Sequence, residues 1–87
     1  MRVSIPKGVV YRELEGEMVL LDLDTGIYFG LDPVGTRMWN LLAEHRATEK
    51  VVEAMLGEYE VEEPRLRGDL EDLVRKLAEK GLVKVEG

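Results

Sequence analysis

Residues 20–42 read LLDLDTGIYFGLDPVGTRMWNLL, and this stretch decides the fold. Leu20, Leu21 and Leu23 precede the break Asp24-Thr25-Gly26, and Ile27, Tyr28, Phe29 and Leu31 follow it. Two β-prone runs parted by Asp, Thr and Gly predict a hairpin, with Gly26 free to adopt a positive φ. Asp32 is placed as a helix N-cap with Pro33 at the first helical position, where the missing N–H costs nothing. Val34, Met38, Leu41 and Leu42 continue at helical spacing beside Trp39, the only tryptophan. The stretch therefore specifies a hairpin that runs directly into a helix. A hairpin at the margin of a small domain leaves a strand edge open.

The chain has 87 residues, which predicts one domain, residues 1–87, in a size class that buries only about 60–65% of its unfolded surface. No run approaches the ~20 apolar residues of a membrane span, and MRVSIPKGVVYRE lacks the long apolar segment of a signal peptide. With no cysteine there is neither disulfide nor thiolate metal site. These features predict a cytoplasmic protein with no membrane association. The net charge is −6, and the acidic excess lies between Glu58 and Asp72, where seven of nine charges are acidic. Nucleic-acid binders draw affinity from Lys and Arg against phosphate, so this balance argues against DNA or RNA. The acidic run reads as a solvated loop and helix start, or as a rim that steers a basic partner.

Upstream, Val9, Val10, Tyr11 and Leu14 form a β-prone run, Glu15-Gly16-Glu17 signals a turn, and Met18–Leu23 is the next strand. With Ile27–Leu31 this predicts a three-stranded meander, one face of which the downstream helices must cover. The first helix is expected from Pro33 to Glu44, ending near His45-Arg46. Thr48 is expected to cap a second helix, Glu49–Tyr59, with Val51, Val52, Met55, Leu56 and Tyr59 on one stripe. The third, Pro64–Lys80, carries Leu66, Leu70, Leu73, Val74, Leu77 and Ala78 on one face, with Gly81 just past its end. Glu71–Arg75 and Asp72–Lys76 are i,i+4 pairs in the favourable acid-first order. A short extended piece, Leu82 to Val85, closes an α+β chain of order β-β-β-α-α-α-β.

Little chemistry is available. His45 is the only histidine, the acids of residues 58–63 lack the spacing of a calcium loop, and the glycines form no phosphate loop. No catalytic residue, metal or cofactor is implied. Gly30 within a strand pattern marks either a bulge or the close approach of a second chain. Ile27, Phe29 and Leu31 share one face by the period of two, so Tyr28 points the other way and something must cover it. Trp39, at core spacing in a helix, reads as packing.

The run D-x-D-T-G-I-Y-F-G-L-D-x-x-G-x-x-x-W-x-L-L at Asp22–Leu42 resembles the PqqD-like family. The patterns V-V-E-A-M-L-G-E-Y at Val51–Tyr59 and D-L-E-D-L-V-R-K-L-A-E-K-G-L-V at Asp69–Val83 match it in order, so the resemblance covers about Val9 to Val85. It implies a winged helix-turn-helix-like fold, three antiparallel strands and then three helices, that recognises the leader of a ribosomally made precursor peptide without catalysing a reaction. The leader would add as a strand to the edge formed by Gly26, Ile27, Tyr28, Phe29, Gly30 and Leu31, in the groove against the third helix. Tyr28, Leu70, Leu73, Val74 and Leu77 would line pockets, with Asp69, Asp72 and Lys76 at the rim. The resemblance favours a stand-alone member of a lasso-peptide pathway, delivering its precursor to a separate leader peptidase and cyclase. The alternatives are the peptide chaperone of pyrroloquinoline quinone synthesis, working with a radical SAM enzyme, and a small winged-helix DNA-binding regulator.

Overall fold

Asp22 and Asp32 set the two turns on which the architecture depends. The computed structural model describes residues 1–86. The strands are β1 (Arg2–Ser4), β2 (Val9–Leu14), β3 (Glu17–Asp22), β4 (Tyr28–Leu31) and β5 (Lys84–Glu86); the helices are α1 (Pro33–His45), α2 (Thr48–Leu56) and α3 (Glu63–Glu79). Strands β2, β3 and β4 form the expected antiparallel meander, with β3 in the centre.

Glu15 and Gly16 join β2 to β3 with φ of 53° and 82°, the doubly positive two-residue turn that matches strand twist. Between β3 and β4, Asp22 Oδ1 accepts the Asp24 N–H at 2.9 Å, and Gly26 turns the chain with φ 77°. At the next corner Asp32 Oδ1 accepts the Gly35 N–H at 2.7 Å, and Pro33 opens α1, as the sequence predicts.

Alternation then builds the core. Met18, Leu20 and Asp22 of β3 face inward, with Leu20 fully buried, while Val19 and Leu21 face away. Helix α1 covers this inner face with Met38, Trp39 and Leu42. Trp39 is fully buried and meets Tyr11 edge-on with ring centroids 5.2 Å apart, which is the packing role expected of it. Helix α2 packs on α1 through Val51, Val52 and Met55, and α3 packs on α2 and β5.

Four features depart from expectation. A second sheet pairs β1 with β5, Val3 opposite Val85, and Val3 is buried. Thr48 is not a cap: Ala47 holds that position without a side-chain bond, and the buried Thr48 hydroxyl donates to the Met1 carbonyl at 3.3 Å. Helix α2 stops at Leu56, with Gly57 as its C-cap, which leaves Tyr59 past the helix end and exposed. On α3, Arg75 bonds Asp72 at 3.1 Å and Arg67 bonds Glu63 at 3.3 Å in place of the expected pairs.

Candidate functional site

Among the described residues, no strand pairs with the outer edge of β4. Asp22 N–H donates to the Ile27 carbonyl at 2.8 Å, and the Thr36 hydroxyl joins Met18 N–H to the Leu31 carbonyl. Residues 27, 29 and 31 therefore turn their backbone groups toward β3. The N–H and C=O of Tyr28 and Gly30 turn by alternation to the open edge. Gly30 sits in unbroken register opposite Val19, so the strand is not bulged there. A Cβ at Gly30 would have nothing within 4 Å.

Beside this edge a cavity of about 450 Å³ opens between β4 and α3. Phe29, Gly30 and Leu31 form one wall, and Asp69, Asp72, Leu73 and Lys76 of α3 form the other. The first turn of α1 supplies Asp32 and Gly35. A neighbouring hollow of about 230 Å³ extends the groove along α1 past Val34 and Met38, sharing Leu73 and Asp69. Half-buried Phe29 has the Lys80 ammonium 5.7 Å from its ring centroid, so a cation stands near this wall. Leu31 and Leu73 give the groove an apolar floor. Asp69, Asp72 and Lys76 give it a charged rim, and Asp72 is partly neutralised by Arg75.

The structure divides the α3 stripe. Leu73 lines the groove as expected, with Asp69, Asp72 and Lys76. Leu70, Val74 and Leu77 do not: they are 0, 1 and 0% exposed and belong to the buried core. Tyr28 does not line the groove either. It lies on the opposite face of the sheet from Phe29 and Leu31 and is 73% exposed. Gly26 belongs to the turn, and Ile27 precedes the strand, half exposed.

Asp32, Gly35, Val34, Met38 and Lys80 were not anticipated at this site. The signal for the first two was present in Asp32-Pro33-Val34-Gly35, since a helix capped immediately after a strand must set its first turn against that strand's end. A Cβ at Gly35 would lie 3.2 Å from Asp32 Oδ1 and 3.4 Å from Leu31 Cβ, so the glycine allows the close approach that shapes the groove floor.

Such a site can hold an extended chain: free main-chain donors and acceptors along one side, an apolar trough and polar rim along the other. Among the described residues, no group of three or more His, Asp or Glu is placed to hold a metal ion, and no helix is long and apolar enough to cross a membrane.

A structure described as "TbiB1 in Complex with the TbiA(beta) Leader Peptide" is 44% identical to this chain, with a TM-score of 0.90 over 97% of this chain and 98% of that one. Another, "Lasso peptide synthetase B1 complexed with the leader peptide", is 25% identical, with a TM-score of 0.86 over 98% and 100%. A search of the curated proteins finds no similar sequence. The family model for coenzyme PQQ synthesis protein D (PqqD) matches residues 17–83, from the start of β3 to the residue before β5. The chain belongs to the PqqD family.

Proposed function

We propose that the protein is a recognition element for the leader of a ribosomally made precursor peptide, which it binds as a fourth strand on the open edge of β4. The observation that carries this reading is the unpaired N–H and C=O of Tyr28 and Gly30 beside the 450 Å³ groove. Support comes from the likeness of the whole chain to two proteins described in complex with leader peptides. Main-chain bonds to residues 28 and 30 supply affinity for any extended segment. An apolar leader side chain against Leu31 and Leu73 supplies selection. Ordering the peptide costs roughly 2–5 kcal/mol. A few anchors at about 1.5–3 kcal/mol each offset this and leave a micromolar or tighter complex, near −8 kcal/mol.

The protein performs no covalent step itself. It holds the leader while a separate leader peptidase and cyclase act, as in lasso-peptide synthesis. The family's name favours the second reading, a peptide chaperone of pyrroloquinoline quinone synthesis. The likeness of the whole chain to a lasso peptide synthetase B1 favours the first.

Hydrogen exchange decides the mode. In a complex saturated with the leader of its own precursor, or with the TbiA(beta) leader as a second probe, the amides of residues 28 and 30 become protected and those of β2 do not. Unchanged exchange along residues 28–31 at saturation would place the peptide elsewhere and refute strand addition.

A further inference from the structure

The outer face of the sheet, which the groove does not use, is apolar where a solvated face should be polar. Alternation turns Val10, Arg12 and Leu14 of β2, Glu17, Val19 and Leu21 of β3, and Tyr28 of β4 away from the helices, so that Arg12 and Glu17 are the only charges in this set. Among the described residues, no helix crosses them. An antiparallel sheet with one wet face ordinarily carries polar side chains there. Here Val10, Leu14 and Val19 are 44, 53 and 38% exposed, and they line with Tyr11, Arg12 and Leu21 a hollow of about 430 Å³. Contiguous exposed apolar surface of this kind marks an interaction site.

We propose that this face, centred on Arg12 and Val19, docks the enzyme that processes the leader-bound precursor. The inference rests on the leader-binding reading above. Two features select that occupant. Arg12 stands opposite Val19 and between Val10 and Leu14, with no ion-pair partner among the described residues. The partner therefore presents an apolar ridge with a carboxylate for the guanidinium, a pairing that suits an interface core. A second copy packed about a two-fold axis would set Arg12 against Arg12, which like-charge repulsion opposes.

The second feature is continuity. Tyr28 is on the outer face while its backbone groups lie on the leader edge, and Gly30 beside it leaves the backbone bare. A protein seated on the outer face reaches the added strand across β4. Docking and leader occupancy then meet at one strand, as an enzyme that acts only on leader-bound precursor requires.

The test uses the full chain, its precursor and the purified leader peptidase of the same pathway. Val19→Lys is expected to lower leader-dependent cleavage by about tenfold or more while leader affinity changes by less than about twofold. Arg12→Glu, on the surface and remote from the core, is the second variant and should do the same; circular dichroism checks the fold of both. Normal cleavage by folded Val19→Lys and Arg12→Glu proteins overturns the proposal. So does a wild-type dimer in light scattering that these changes convert to monomer, since the face would then belong to a second copy. Failure of the wild-type protein to bind leader refutes the groove reading instead, a result read in the affinity measurement alone.

Discussion

The Thr36 hydroxyl of α1 accepts the N–H of Met18 in β3 at 2.8 Å and donates onward to the Leu31 carbonyl at 3.3 Å. One buried side chain thus stands in for a direct ladder bond and ties the first helix to the strand that borders the groove. Thr36→Val keeps the shape, removes the acceptor and leaves a buried N–H without a partner. That change is expected to destabilise the fold by about 1–3 kcal/mol in chemical denaturation, with Thr36→Ser retaining most of the stability.

Gly30 tests the ladder. Gly30→Ala has open space for its methyl and should leave stability nearly unchanged. Gly30→Pro removes an edge donor that no neighbour in the chain uses, so the fold should tolerate it while leader affinity falls well below that of the Ala variant. Equal affinities in a fluorescence-anisotropy titration would show that the Gly30 N–H makes no bond to the peptide.

Leu73 and Leu77 separate groove from core on one helix. Leu77 is fully buried, and Leu77→Ala should cost about 2–5 kcal/mol of stability. Leu73 lines the groove, half-buried, so Leu73→Ala should cost less stability and more leader affinity. Denaturant midpoints and binding isotherms on both variants read the two effects independently.

Acid should loosen the link between α1 and the segment after α2. Arg37 Nε donates to Glu58 Oε1 at 2.8 Å, and this bond holds the Glu58 carboxyl below the usual carboxylate range. A depressed folded-state value stabilises above the unfolded value, and that contribution is lost as pH falls through the folded one. The pair is exposed, so the effect is small. Thermal midpoints of wild type and Glu58→Gln, separated at neutral pH, should converge as pH falls below the usual carboxylate range.

Duplex DNA should not be a ligand. The helix that a winged-helix regulator would turn to phosphate presents Asp69 and Asp72 with only Lys76 between the groove walls. A gel shift with random duplex at physiological salt, with affinity falling steeply as salt rises, would overturn this.

The meander, the three helices and both turns were legible because each rests on local chemistry: Gly26 at positive φ, Asp32 bonded to Gly35, Trp39 at core spacing. The β1–β5 sheet was not, since strands of three residues carry too little alternation to detect and pair across nearly the whole chain. Leu73 and Leu77 both belong to one helical stripe. Only the positions of β4 and α2 decide that Leu73 meets the groove and Leu77 the core. Alternation placed Tyr28 opposite Phe29 correctly, but it could not say which of the two faces α3 would approach. Groove membership is a tertiary fact, and the periodicity of single elements does not contain it.

The β1–β5 pairing has a consequence for architecture beyond this chain. Arg2 lies opposite Glu86, so the two ends of the folded unit leave side by side. Met1 and Val85 border Glu71, Val74, Arg75 and Ala78, the side of α3 turned away from Leu73 and Lys76. A unit closed in this way can be spliced into a loop of a larger protein with little strain on the host, since adjacent ends span a gap no wider than a hairpin. The groove would still face outward. The same clasp that staples a small domain thus makes it portable, able to serve alone or as an inserted module.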